Sequence, residues 1–537
     1  MIPFRAYLTS PSNVFLNEDA KIVYSDWNSF SRTDVYDAGD GELLYITLDG
    51  GTVSTISKYA GNLEQVEYLR TTTSYLAFQD APKERVLIIG AGGGQEVLTA
   101  RMAGFGEIEA VDINAGSFRA VRALSQFSGN LFHQPGVTPI VSDGRNYIRK
   151  TDKRYDLIYL SLVKKESENG LGLALTEKYI FTEEAVGEYL KKLKPGGRLA
   201  FLLHDETELM KVLLAAEKSL KDEGIQDAQM KNHMAVVGTY QHLGHVVWGM
   251  GGSKITRPLL ILSNEPFSAT SARRLKEGAE SIHQIPVHVP YVHDQFSWLH
   301  TINDEQKANL AANRDDRPFF YNKSGNVPIE LVWIAALVLL ITLVLVRRRR
   351  TNFPNGPAVY FSGIAVGFMI IETTLVLRLI LPLGHPTLSF VLVLGVLLVA
   401  GGIGSLLSAK WSSGHTKRYA PLLGVAILAF AVNACITWYN EQSFYWPMVY
   451  RVLAALFLLI PLGISMGMPF PNGLLRIPKR YTALSWAING LMTVAGTILS
   501  VIISLTMGFS AAMTVGAAVY GFLYAIQPKL NMRTGNG

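Results

Sequence analysis

The chain is poor in cysteine and in charge. Its 537 residues include one Cys, Cys435, so no intrachain disulfide can form and a disulfide scaffold is excluded. Only 17% of residues are charged and 49% are hydrophobic, with a mean hydropathy of +0.21. That excludes a disordered chain and is more apolar than an ordinary soluble enzyme. The first 40 residues are polar and hold no apolar core of the length a signal peptide needs. Acidic residues are scarce in one half only. From Ile329 onward they number three (Glu330, Glu372 and Glu441) against 14 Lys and Arg, a net of +11. The first 328 residues hold 35 basic and 40 acidic residues, a net of −5. The overall +6 and a pI near 9.0 would suit a nucleic-acid binder. The split removes that reading, because the positive charge belongs to the apolar half.

What that half does contain is long apolar runs. A membrane span needs roughly 17–25 such residues. Seven stretches qualify, at about 329–346, 357–381, 387–408, 419–438, 448–467, 485–507 and 510–527. Gly401-Gly402-Ile403-Gly404, Gly463 and Gly467 suit close helix packing in lipid. Basic residues cluster at Arg347–Arg350, at Lys410, Lys417 and Arg418, at Arg476, Lys479 and Arg480, and at Lys529 and Arg533. With seven spans all four clusters fall on one face, which the positive-inside bias makes cytoplasmic. Residues 1–328 then fall on the other face, with nothing in these residues to export them. Glu372, Arg378 and Arg451 lie within or beside the apolar runs. Charge is expensive there, so a ligand path is one reading. The other is structural: Glu372 paired with a basic neighbour, Arg378 and Arg451 snorkelling.

The first half reads as α/β. Alternation over residues 20–60, as in Leu43–Gly51, predicts a small antiparallel β subdomain, and 64–80 read as helical. Arg85–Ile89 then forms a short apolar run suited to a buried parallel strand. Gly90-Ala91-Gly92-Gly93-Gly94 follows, and Gln95–Ala103 reads as a helix. Strand, glycine-rich turn and helix open a nucleotide-binding sheet, because glycines admit a ligand to the backbone and the helix start offers unpaired N–H groups. A second strand ends at Asp112-Ile113, placed for ribose hydroxyls. A third ends at Asp143-Gly144 and a fourth at Ser161. Lys194-Pro195-Gly196-Gly197 precedes a fifth.

The order of these features resembles the S-adenosyl-binding fold of methyltransferases and polyamine aminopropyltransferases. Within it, Leu48-Asp49-Gly50, Ile88-Ile89-Gly90, Val111-Asp112-Ile113, Asp143-Gly144 and Tyr155-Asp156-Leu157-Ile158 resemble the spermidine synthase family over about residues 20–220. Leu175–Tyr179, Asp315–Phe320 and Gly367–Glu372 resemble its membrane-bound bacterial branch. The fold class implied is α/β: a small N-terminal β subdomain (1–82), an S-adenosyl-binding, Rossmann-type domain (83–265), a helical connector (266–328) and an all-α polytopic membrane domain of about seven helices (329–537). By resemblance, Gly90, Gly92, Gly93, Gly94, Gln95, Glu96, Asp112, Ile113, Asp143 and Gly144 hold S-adenosylmethionine or its decarboxylated form, with Asp143 at the adenine. A small amine or other small nucleophile is the second substrate, the bilayer is the standing partner, and a homodimer is an assembly open to the family.

The departures concern the chemistry. The family carries an Asp in its glycine-rich turn, where Gly93 stands here, and Gln95 and Glu96 are the neighbours placed to substitute. Its proton-accepting Asp follows the fourth strand, where this chain has Leu160-Ser161-Leu162-Val163-Lys164-Lys165. The family's Gln after Leu-Asp-Gly-x-x is Val53. Glu177, Glu166 and Ser161 are therefore the catalytic candidates, with Glu168 a further acid in a lid-like loop. Loss of the amine-binding acids also keeps open cyclisation or cleavage of S-adenosylmethionine, or methyl transfer. A non-catalytic sensor or transporter is the third reading. Tyr159 and Tyr179 read as core or rim aromatics. His204, His233, His242 and His245, with Asp205, match no zinc spacing, and no metal is expected. Arg317 and the Asp pair of Asp315-Asp316-Arg317-Pro318 read as partners that dock the soluble half on the membrane half.

Overall fold

The computed structural model describes residues 20–161, 177–242, 253–294, 310, 313–322, 327–347, 353–411, 420–528 and 530. The chain divides into two compact units, Met1–Ser324 and Gly325–Gly537.

The first unit opens with a four-stranded antiparallel sheet in sequential order: β1 (Lys21–Trp27), β2 (Arg32–Asp37), β3 (Leu43–Leu48) and β4 (Thr52–Ser57). Alternation puts Val35, Ile46 and Ile56 on its buried face, none more than 1% exposed. Asp49 and Gly50 turn β3 into β4 with left-handed φ of 51° and 73°, and the Asp49 carboxylate accepts the Arg32 N–H at 2.9 Å. The Leu-Asp-Gly motif is thus first a hairpin.

A nine-stranded sheet follows, in the order β13-β12-β10-β11-β9-β8-β5-β6-β7. Its members are β5 (Arg85–Ile89), β6 (Glu107–Asp112), β7 (Val137–Val141), β8 (Tyr155–Leu160), β9 (Leu193–Leu202), β10 (Met234–His242), β11 (Ser253–Ser263), β12 (Ile285–Val289) and β13 (His293–Asp294). Strands β5 to β9 are parallel, and β9 to β13 pair antiparallel. The parallel strands are apolar on both faces because helices cover both. β5 pairs β6 on one side and β8 on the other, so strand order reverses at β5. Around it lie α1 (Thr73–Gln79), α2 (Gln95–Met102), α3 (Ala115–Ala123), α4 (Gly144–Lys150), α5 (Glu183–Lys191), α6 (Glu206–Asp222) and α7 (Ala269–Ser281). The expected helical connector from 266 differs: α7, β12 and β13 complete this sheet. β12 (Ile-Pro-Val-His-Val) is too short to carry a clear period, and only pairing with β10 identifies it as a strand.

The 313–322 segment also folds back on this unit. Arg145 of α4, with 0% exposure, donates to Glu188 Oε2 at 2.5 Å and to Asp315 Oδ1 at 2.9 Å. It donates as well to the Tyr179 carbonyl and Thr182 Oγ1, both at 2.8 Å. Burial works against its charge, and Asp315 and Glu188 overcome it, holding the guanidinium ionised. Asp315 is therefore drawn to α4 and α5 of its own unit. Phe320 stacks on Phe181 at 4.3 Å beside it.

The second unit is helical: α8 (Ile329–Arg347), α9 (Asn355–Arg378), α10 (Pro386–Trp411), α11 (Ala420–Gln442), α12 (Met448–Gly467), α13 (Thr482–Met507) and α14 (Phe509–Ile526). Six helices are long and apolar enough to cross a membrane, within Asn355–Leu383, Pro386–Ser408, Ala420–Tyr445, Met448–Leu474, Lys479–Met507 and Phe509–Ile526. The seventh expected span is a shorter apolar helix, Ile329–Leu345. α10 and α12 cross closely: a Cβ at Gly467 would lie 2.0 Å from the Gly401 carbonyl oxygen. The two arginines do not snorkel. Arg378 donates to Asn433 Oδ1, and to Thr437 Oγ1 and Ser510 Oγ at 3.0 Å each. Arg451, fully buried, donates to the carbonyls of Pro382 (2.7 Å), Phe444 (2.5 Å) and Trp446 (3.1 Å). Glu372 is 8% exposed on α9. The partners named here for both arginines are neutral, so the expected pairing with Glu372 is not among them.

Arg145→Met leaves Glu188 and Asp315 without their shared buried cation. Such a loss costs about 3–5 kcal/mol. The expected outcome is a clear drop in the denaturation midpoint of the α/β unit, followed by tryptophan-independent circular dichroism; an unchanged midpoint contradicts the hub role.

Candidate nucleoside site

The site forms at the carboxyl ends of β5, β6 and β8, where the strand order reverses and α/β sheets open a crevice. After Ile89 the chain turns sharply. The N–H groups of Gly90 and Ala91 donate to the Val111 carbonyl at 2.8 and 3.2 Å, tying the turn to the end of β6. The Gly92 N–H donates to Asp112 Oδ2 at 2.9 Å, and the Asn114 N–H donates to Asp112 Oδ1 at 2.8 Å. Burial pushes the Asp112 carboxyl up and these two donors pull it back; the net direction is upward. Each oxygen keeps a lone pair. Asp112 thus fixes the turn and can also accept ribose hydroxyls. Ile113, half-buried, links it to Asn114.

Strand β4 closes over the turn. The Gly93 N–H donates to Ser54 Oγ at 2.9 Å, and Thr55 Oγ1 donates to Gln95 Oε1 at 2.5 Å. A Cβ at Gly93 would sit 2.1 Å from the Thr55 carbonyl oxygen, which is backbone and cannot swing away. The position the resemblance assigns to an Asp is therefore sterically closed. Further ties hold the small sheet there: Asn114 Nδ2 donates to Thr33 Oγ1 at 2.9 Å, and Arg119 pairs with Asp26 at 2.5 Å. Ser54 and Thr55 carry no sequence signal of their own beyond lying on a strand; only their packing against the turn reveals them.

Asp143 caps α4, its Oδ1 accepting the Asn146 N–H at 2.8 Å. Gly144 is needed for close approach, since a Cβ there would lie 2.5 Å from Ile89 Cγ2. The structure thus brings Gly90, Gly92, Gly93, Gly94, Gln95, Asp112, Ile113, Asp143 and Gly144 to one end of the sheet. Glu96 and Ser161 join them: Ser161 follows β8, its N–H donates to the Ile89 carbonyl at 3.3 Å, and its Oγ donates to Glu96 Oε1 at 3.0 Å.

Glu177 is half-buried one residue before Lys178, whose N–H donates to the Pro318 carbonyl at 2.7 Å. Glu166, Glu168, Lys164 and Lys165 lie outside the described residues, as does His245. Tyr159 is fully buried and donates to Ser74 Oγ at 2.9 Å, and Tyr179 is 7% exposed, so both are core. His204 Nδ1 lies 3.0 Å from Glu208 Oε2, and His233 Nδ1 lies 3.1 Å from the Ser263 carbonyl. Among the described residues no three His, Cys, Asp or Glu side chains gather as a metal site would require.

Asp112→Ala strands two buried N–H donors, at about 1–3 kcal/mol each, and removes the ribose acceptor. The expected result is an affinity for methylthioadenosine about a hundredfold weaker by calorimetry. An affinity within threefold of the parent contradicts the assignment.

No family model matches the chain. Two curated relatives do. The chain is 27% identical over 115 residues to a polyamine aminopropyltransferase of Korarchaeum cryptofilum, covering 21% of this chain and 33% of that one. It is 24% identical over 143 residues to polyamine aminopropyltransferase 2 of Aquifex aeolicus, covering 22% and 29%. The matches span about a third of each relative's length. Among solved structures, a probable spermidine synthase from Corynebacterium glutamicum aligns at 16% identity and TM-score 0.37, covering 55% of this chain and 96% of that one. A spermidine synthase from Thermotoga maritima aligns at 17% and 0.33, covering 54% and 87%. On the sequence matches, part of the chain is similar to the polyamine aminopropyltransferases.

Proposed function

We propose that the chain is a membrane-integrated, spermidine-synthase-like transferase. It binds decarboxylated S-adenosylmethionine, or S-adenosylmethionine itself, and releases methylthioadenosine by transferring the alkyl (aminopropyl) arm to a small amine. The observation that carries this is the turn at 90–94 locked to Asp112 at the strand-order reversal, in a chain similar to aminopropyltransferases. The fixed turn presents backbone to the nucleoside, Asp112 accepts from the ribose, and Asp143-Gly144 lines the adenine side. Transfer is an in-line attack on the carbon beside the sulfonium. The leaving group is good, so holding donor and acceptor in line supplies much of the rate.

A second reading stays within S-adenosyl chemistry. With position 93 closed by Thr55, no carboxylate there can hold an incoming polyamine. That favours cyclisation or cleavage of S-adenosylmethionine, or methyl transfer. A third reading is a nucleoside sensor or transporter without turnover.

We further propose that Ile329–Leu345 does not cross the bilayer. Six spans then put the clusters at 347–350, 410–418, 476–480 and 529–533 all on the face that carries residues 1–328. The positive-inside bias makes that face cytoplasmic, where S-adenosyl ligands are found.

The purified chain is incubated with either donor, with and without putrescine. Methylthioadenosine formed only with decarboxylated donor and putrescine supports transfer. Methylthioadenosine from S-adenosylmethionine alone points to cyclisation or cleavage, and S-adenosylhomocysteine to methyl transfer. Binding without product sinks the enzyme readings. For topology, reporter fusions at residues 1 and 412 are expected to report the same face; opposite faces restore seven spans.

A further inference from the structure

Resting on the transfer reading above, we propose that Glu96 is the group that takes the proton from the attacking amine, with Ser161 holding its carboxylate in position. β5 and β8 are adjacent, with Ile89 registered against Leu160. The residue just past Leu160 and the first turn of α2 therefore meet at the mouth of the crevice. Ser161 Oγ donates to Glu96 Oε1 at 3.0 Å, and the residue's own backbone N–H also donates to the carboxylate, which keeps further lone pairs for another partner. Glu96 is 8% exposed and forms no ion pair among the described residues.

The fold does not need a carboxylate there. An acid in the first turn of α2 suits the helix dipole, but an exposed acid would serve as well. Burying one without a cation is costly, and such costs concentrate at functional sites. Among the described residues, Tyr159, Tyr68 and Ser161 lie near enough to Glu96 to interact with it. Tyr159 of β8 lies fully buried beneath it. Tyr68, on the 3-10 helix Leu63–Thr71, is 43% exposed, and its hydroxyl lies 2.8 Å from Ser57 Oγ of β4. Burial, with a smaller push from the Glu96 charge, holds both phenols above their ordinary range, so both stay neutral where Glu96 titrates. Burial also pushes the Glu96 carboxyl up, against the pull of Ser161, bringing its basicity nearer to neutral pH.

The step balances. Glu96 Oε2 takes a proton from the ammonium form of the acceptor and frees its lone pair. That pair forms the C–N bond as the C–S bond breaks, and sulfur keeps the bonding electrons and leaves as the neutral thioether methylthioadenosine. The proton on Glu96 then passes to water.

The test uses the full-length protein, decarboxylated S-adenosylmethionine and putrescine, with methylthioadenosine binding as the control. Glu96→Gln is expected to bind methylthioadenosine within threefold of the parent while kcat falls about 10²–10⁴-fold. It also loses the acid limb of the pH–kcat profile. Ser161→Ala removes a hydrogen bond to the charged form, so its acid limb moves to higher pH, and turnover measured above that limb falls less than in Glu96→Gln. This variant carries the test if Glu96→Gln does not fold. Glu96→Gln turnover within threefold of the parent, or an acid limb unmoved in Ser161→Ala, overturns the assignment and leaves the transfer reading standing. A parent chain that makes no methylthioadenosine overturns both.

Discussion

The turn at 90–94 and strand β4 occupy space that only a missing Cβ makes shareable. With Gly93 bare, its N–H reaches Ser54 Oγ at 2.9 Å and the Thr55 carbonyl packs where a side chain would be. That contact sets where the N-terminal sheet sits, and the sheet in turn roofs the carboxyl ends of β5 and β6. It also decides the chemistry. A carboxylate cannot stand on the turn without displacing β4, so any acid serving the crevice has to come from beside it. Gln95 is taken by Thr55. Glu96, one residue further, is the first acid that the helix geometry turns into the space between β5 and β8.

Buried charges in the α/β unit differ in how completely they are matched, and the difference sorts structure from chemistry. Arg145 is met by two carboxylates, a carbonyl and a hydroxyl, and reads as the rivet that fastens the 313–322 return to α4 and α5. Asp112 is met by two N–H groups and retains lone pairs, so it can be both strut and ligand. Glu96 has one hydroxyl and its own backbone N–H. A group kept buried with less compensation has its carboxyl pushed up by burial, the direction that suits the proton acceptor proposed above more than a strut.

Local rules made much of this readable in advance. Strand β5, the glycine turn, Asp112 and Asp143-Gly144 announce themselves because each is a short contiguous signal with its own physical cause. The apolar helices do so by length alone. What escaped were contacts between distant segments. Nothing near Thr55 tells that its carbonyl forbids a side chain at 93. Arg145 and Asp315 are 170 residues apart, so Asp315 was read with its neighbour Arg317. β12 has five residues and no period, and joins the sheet only because β10 offers an edge. For Arg451 the sequence leaves a ligand path and snorkelling both open, because it shows the charge and not the three carbonyls that converge on it.

The helical half turns on parity. Basic clusters separated by pairs of spans share a face whichever way the first helix lies, so their agreement with one another carries no information about the soluble unit. That information rests wholly on Ile329–Leu345. If it crosses, the nucleoside site and the basic loops face opposite compartments; if it lies along the surface or inside the bundle, they face the same one. Arg347 ends its apolar run, and the positive-inside bias favours the cytoplasmic headgroups for a basic cluster of this kind. On the proposed reading, a helix with both ends on one face is the arrangement that opens the crevice to S-adenosyl ligands without moving a single basic loop.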